Sequence, residues 1–109
     1  MRRAIALFTV ILGAASLAAT SIAVSQEVEG TRPACVSVQA TPRMQAFGWD
    51  HIVTVQNACP QPVTCSVTTD VNPTATSVSV PAGQSRDTLM WRGSPASVFR
   101  ARVDCPTPR

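Results

Sequence analysis

Nine prolines stand in this 109-residue chain, and every one falls after residue 32, amid the twelve valines, ten threonines and seven serines that follow position 25. Proline lacks the N–H that a helix interior needs, while Val and Thr fit a pleated strand. A chain so composed is expected to be all-β from residue 26 onward.

Period-two alternation locates the strands. Residues 35–40 alternate around Val36 and Val38, and residues 49–57 place Trp49, Val53 and Val55 on one side with His51 between them. Residues 63–71 carry the clearest run, Val63, Cys65, Val67, Thr69 and Val71 against Thr64, Ser66, Thr68 and Asp70. Further runs cover residues 76–80, 86–92 and 98–105, divided by Asn72-Pro73, Pro81-Ala82-Gly83 and Gly93-Ser94-Pro95. Short strands separated by turn signals predict a small antiparallel immunoglobulin-like β-sandwich of about six strands. If the last two runs form a hairpin, Trp91 opposes Phe99 and Leu89 opposes Ala101. Leu89, Trp91, Phe99 and Val103 then share the core with Trp49, Val53, Val55, Val67 and Val71.

A different composition precedes this region. Arg2 and Arg3 lead into an apolar run from Ala4 to Leu12, followed by small residues up to Ala23 and Ser25. That is the three-part pattern of a secretory signal peptide, here expected as a helical segment over residues 1–25, with cleavage before Val24 or Gln26. Residues 26–33 read as a flexible leader, 34–105 as the β-sandwich domain and 106–109 as a flexible tail. The expected location is the periplasm or the extracellular space, with no attachment to the membrane once the signal is removed. The net charge of +3 includes Arg2 and Arg3; the remaining seven arginines face six carboxylates, and the chain has no lysine. A balance near +1 leaves no footprint for nucleic acid.

Four cysteines, Cys35, Cys59, Cys65 and Cys105, in a small exported domain imply two disulfides. Loop-closure entropy does not choose among the pairings, since two of them come to roughly 7 kcal/mol in total. Strand parity favours Cys59 with Cys65. If those two residues face each other, Val55 opposes Thr69 and Val53 opposes Val71, and the apolar sets fall on one side. Cys35 then pairs with Cys105.

Little in the chain suggests catalysis. His51 is the single histidine, too few for a blue-copper set, and four cysteines committed to disulfides leave no zinc site. No cofactor is expected. His51 reads as a half-buried strand residue; as the centre of a small hydrolase it would need a serine and an orienting carboxylate beside it. The segment 60–64, bracketed by Cys59 and Cys65 and stiffened by Pro60 and Pro62, offers a rigid loop of the kind a secreted protease inhibitor presents. The hairpin pairing also places Arg86, Arg92, Arg100 and Arg102 on one surface, a candidate anion-binding face for an acidic protein or an anionic envelope component.

The segment Val53-Thr54-Val55-Gln56-Asn57-Ala58-Cys59, followed by Cys65-Ser66-Val67-Thr68 and by Val80-Pro81-Ala82-Gly83, resembles small exported bacterial proteins of uncharacterised function that share a signal peptide, an N-x-C-x5-C hairpin and a V-P-x-G turn. The resemblance implies a sandwich-like fold and brings no catalytic residue with it. The function expected is that of a non-enzymatic structural or binding module.

Overall fold

The computed structural model describes residues 28–106, with Gly13 alone before them. The expected signal peptide, its cleavage positions, and residues 107–109 of the expected tail lie outside the described residues. The described region is all-β, with strands β1 (Val28–Glu29), β2 (Val36–Gln45), β3 (Gly48–Asn57), β4 (Val63–Thr69), β5 (Thr76–Val80), β6 (Ser85–Ser94) and β7 (Ala101–Asp104). Each run of period-two alternation contains a strand, and β1 is an addition to them. Strand β2 continues through Pro42 to Gln45 because it lies at a sheet edge, where a missing N–H breaks no ladder.

The strands form two sheets, ordered β1-β7-β4-β5 and β2-β3-β6. Only β1 with β7 is parallel. Consecutive strands pair only at β2–β3 and β4–β5, and every other connection passes from one sheet to the other. The buried sides of both sheets meet in one core. Val36, Ala40, Val53, Val55 and Met90 come from the three-stranded sheet, and Val63, Cys65, Val67, Val78, Val80, Ala101 and Val103 from the four-stranded one.

This topology corrects the disulfide pairing. The bonds are Cys35–Cys59 and Cys65–Cys105. Parity between residues 57–59 and 65–67 applies only if β3 and β4 are neighbours, and they belong to different sheets. Each disulfide instead staples strands that do pair. Val36 opposes Asn57 on β2 and β3, which brings Cys35 beside Ala58, whose N–H donates to the Cys35 carbonyl at 2.9 Å. Ser66 opposes Asp104 on β4 and β7, so the next step along the ladder sets Cys65 against Cys105, with Cα atoms 4.1 Å apart.

The expected hairpin of β6 with β7 is also absent. Strand β6 pairs with β3, and Gly93-Ser94-Pro95 opens a crossing to the other sheet rather than a turn. The inward side of β6 is set by β3: Val53 opposes Thr88 and Val55 opposes Arg86, so Leu89 falls on the outer side opposite Ile52. Two extra residues on β6 then interrupt the ladder, one between the partners of Trp49 and His51 and one between those of His51 and Ile52. Met90, at the second irregularity, is buried, and its carbonyl accepts from Asn72 Nδ2 at 2.8 Å. Leu89 and Trp91, expected in the core, are 45% and 44% exposed. Phe99, Val103, Val53, Val55 and Val67 are buried as expected, while Val71 packs at the core margin and Trp49 is half-buried.

From Val28 onward, the residues expected to form a leader are held in place. Val28 and Glu29 pair with Ala101 and Arg102. The Arg32 guanidinium donates to the carbonyls of Glu29 at 3.0 Å and Val103 at 3.3 Å. The Asp104 carboxylate accepts from the Thr31 N–H and from Arg102 Nε, each at 2.9 Å. Those two donors, the Thr31 N–H first, hold the Asp104 carboxyl below the usual carboxylate range. A lowered value means that the clasp contributes its stability above that range and loses it as pH falls through the folded-state value.

At the disulfide-rich end, Asn57 closes the gap between the sheets. Its Nδ2 donates to the carbonyls of Gln61 at 2.8 Å and Val80 at 3.0 Å, and its Oδ1 accepts from the Cys59 N–H at 2.9 Å. Its main chain bonds Gln84 and Gly83 at 2.9 and 2.7 Å. Asn57, Cys59 and the Val80-Pro81-Ala82-Gly83 turn, separate in sequence, thus form one corner.

Two outcomes follow from this arrangement. Proteolysis of the unreduced protein releases fragments linking Cys35 to Cys59 and Cys65 to Cys105, and none linking Cys59 to Cys65, as read by mass spectrometry. Asn57→Asp replaces the amino donor by an oxygen facing two carbonyls and lowers the unfolding free energy by about 3 kcal/mol or more in denaturant titration.

Candidate functional site

His51 lies on β3 and is fully buried. Its ring stacks on Phe99 with centroids 4.2 Å apart and an interplanar angle of 12°. Nε2 lies 2.7 Å from the Ala96 carbonyl oxygen, and since a carbonyl only accepts, Nε2 carries the hydrogen. Nδ1 is buried with no hydrogen-bond partner among the described residues. The imidazole is more deeply buried than the sequence suggests, because Phe99 arrives from the crossing between β6 and β7 and covers it. The ring is sealed beneath Phe99 and closes one end of the core.

The segment 60–64 does not form a disulfide-bracketed loop, since Cys59 and Cys65 bond elsewhere. Pro60, Gln61 and Pro62 are exposed, but the Gln61 carbonyl is held by Asn57 and Val63 is buried at the start of β4. It is a crossing between sheets. The four-arginine face is likewise dispersed, because Arg86 and Arg92 lie on β6 in one sheet, while Arg100 and Arg102 lie at and in β7 in the other. Arg102 pairs with Asp104 at 2.9 Å.

The register sorts the remaining surface into two unlike ends. One end holds both disulfides, the Asn57 corner, and residues 58–62 and 81–84. The opposite end gathers the tip of the β2–β3 hairpin at Ala46 and Phe47, residues 70–75 between β4 and β5, and residues 95–100 between β6 and β7. At this loop end Met44, Phe47 and Val98 are 70%, 92% and 69% exposed, with Trp91 a few residues back along β6. Four of the five large hydrophobic side chains exposed among the described residues therefore lie at or near it.

The hairpin tip is pressed against the end of β6. Gly48 has φ of 131°, and a Cβ there would come within 2.7 Å of the Ser94 carbonyl oxygen, so only glycine allows this approach. Asp50 reinforces the contact by accepting from the Gly93 N–H at 3.1 Å. An open cleft of about 360 Å³ results, lined by Gln45, Ala46, Phe47, Asp50, Arg92 and Gly93. Arg43, Arg92 and Arg100 are exposed at the same end, and none has an ion-pair partner among the described residues. Asp50 and Asp70 accept from the backbone N–H groups of Gly93 and Arg100, the second at 2.9 Å. Alternation overlooks this site because residues 41–48 lack period-two order. The available signal is Phe47-Gly48 between two strand-like runs, a hairpin cue with an apolar apex.

No protein-family model, curated protein or solved structure matches the chain.

Phe99→Ala removes a buried ring and the stack on His51, and lowers the unfolding free energy by about 3–5 kcal/mol. Trp91→Ala, on the outer surface, lowers it by less than about 1 kcal/mol. Thermal or chemical unfolding of the two variants side by side checks the placement of both rings.

Proposed function

We propose that this chain is an exported, non-enzymatic binding module on an immunoglobulin-like sandwich, akin to the small exported bacterial proteins that share its N-x-C-x5-C and V-P-x-G segments. It engages an anionic partner through its loop end. The observation that carries this reading is the segregation of Met44, Phe47, Trp91 and Val98 to the end opposite both disulfides. Large apolar side chains gathered at one exposed end, beside arginines that have no ion-pair partner among the described residues, suit a contact surface. A sandwich stapled at one end leaves the loops of the other free to vary, as binding loops do. Two disulfides and no free cysteine among the described residues fit an oxidising compartment, the periplasm or the extracellular space. The burial of His51 supports a non-catalytic role, and the engaged Gln61 carbonyl disfavours segment 60–64 as an inhibitor loop.

The test uses the full chain in an exporting cell, with a photo-crosslinking residue at position 47 or, as the comparison, at position 61 on the stapled end. The protein is expected outside the cytoplasm, beginning at Val24 or Gln26, with discrete adducts from position 47 and none from position 61. Equal adducts from both positions, or none from position 47, overturn the loop-end assignment.

A further inference from the structure

Phe47 forms the apex of a two-residue hairpin connection and is 92% exposed. Met44 stands beside it on β2, and Val98 projects from the neighbouring crossing. Together these three side chains present on the order of 400 Å² of apolar surface, about half of what each partner contributes to a standard protein interface. The apolar groups also come from separate segments and protrude. A divided apolar tip, with most of each side chain in solvent, fits a fluid medium better than a preformed complementary pocket. Trp91 lies three residues below Ser94, the last residue of β6, and so about 10 Å back from that strand's end. Indole rings favour the boundary between hydrocarbon and water, where one side is apolar and the other wet.

The charges support the same partner. Six arginines and five carboxylates lie among residues 28–106, and the surplus sits at this end, with Arg43, Arg92 and Arg100 against Asp50 and Asp70. Both carboxylates accept backbone N–H bonds, whereas the three guanidinium groups have no ion-pair partner among the described residues. Guanidinium groups bind phosphate through paired hydrogen bonds.

We propose that the loop end is a peripheral contact for an anionic lipid bilayer, with Phe47, Met44 and Val98 entering the interfacial zone and Trp91, Arg43, Arg92 and Arg100 at the depth of the headgroup phosphates. The assignment rests on the binding-module reading and names its partner. It departs from the expectation that the processed chain keeps off the membrane. Apolar burial and attraction to anionic headgroups both contribute, as they do for other interfacial binders. Neither suffices alone on so small a tip.

The exported protein, recovered after processing, is sedimented with vesicles of phosphatidylglycerol and phosphatidylcholine in equal parts, and with vesicles of phosphatidylcholine alone, at low and high salt. Trp49 and Trp91 are the only tryptophans in the chain and both belong to the loop half of the molecule, so their emission reports the encounter. Binding to the anionic vesicles at low salt, with emission shifted to the blue and quenched by brominated lipid, is expected. Phe47→Ser weakens the partition at least about tenfold, and each of Arg43→Ser and Arg92→Ser about fivefold. High salt weakens it further, and Arg86→Ser, on the stapled half of β6, leaves it unchanged. No binding to anionic vesicles at low salt overturns the proposal, as does equal binding to phosphatidylcholine alone. Binding indifferent to both Phe47→Ser and Met44→Ser also overturns it; these side chains are exposed, so the variants keep the fold. If position 47 crosslinks to a protein while the vesicles bind nothing, the lipid assignment falls and the binding-module reading stands.

Discussion

Asn57 commits all its hydrogen-bonding groups to joining two sheets that share no ladder. Its main chain ends β3 and holds the 81–84 turn, while its side chain holds the backbone at Cys59, Gln61 and Val80. The side chain is buried, so its bonds to Val80 and Cys59 form away from water, and those two partners would otherwise be unsatisfied buried groups. An aspartate would reverse the donor pattern, and an apolar residue would leave two carbonyls and one N–H without partners. Both disulfides lie beside this corner, since Cys59 follows Asn57 by two residues and β4, which carries Cys65, begins just beyond Gln61. A covalent bond fixes two strands within each sheet, and the amide fixes one sheet to the other.

Asn72 does a smaller version of this work at the opposite end. From the β4–β5 connection it donates to the Met90 carbonyl, which a ladder irregularity in β6 leaves available. The Phe99 ring on His51 then fills the space between the sheets that valines alone would leave open. This end has no covalent staple, and its loops and the strand ends beside them carry the exposed apolar side chains and the arginines that have no ion-pair partner among the described residues. Order at one end and accessible side chains at the other are two consequences of where the crossings fall.

Strand positions were legible because alternation is local. A strand with one buried side needs apolar residues at every second position, and residues 63–71 satisfy that from their own composition. Partners were not legible, because pairing depends on which strands lie side by side. Both parity arguments, for Cys59 with Cys65 and for Trp91 with Phe99, applied a sound rule to strands that are not neighbours. The same assumption brought Arg86, Arg92, Arg100 and Arg102 onto one imagined surface. Residues 28–33 looked loose for a related reason: their order comes from Val103 and Asp104, more than 70 positions away.

The residues by themselves determined an all-β region over residues 28–106, the location of its longer strands and the presence of enough cysteines for two staples, because proline content, β-branching and period-two burial act over a few residues. Tertiary structure alone decided which cysteines bond, which side of β6 is core and where the exposed apolar groups collect. Those outcomes depend on four crossings between sheets, and the direction of a crossing is set by packing and by polar groups such as Asn57 that reach across the core margin, not by any pattern within the segment that crosses.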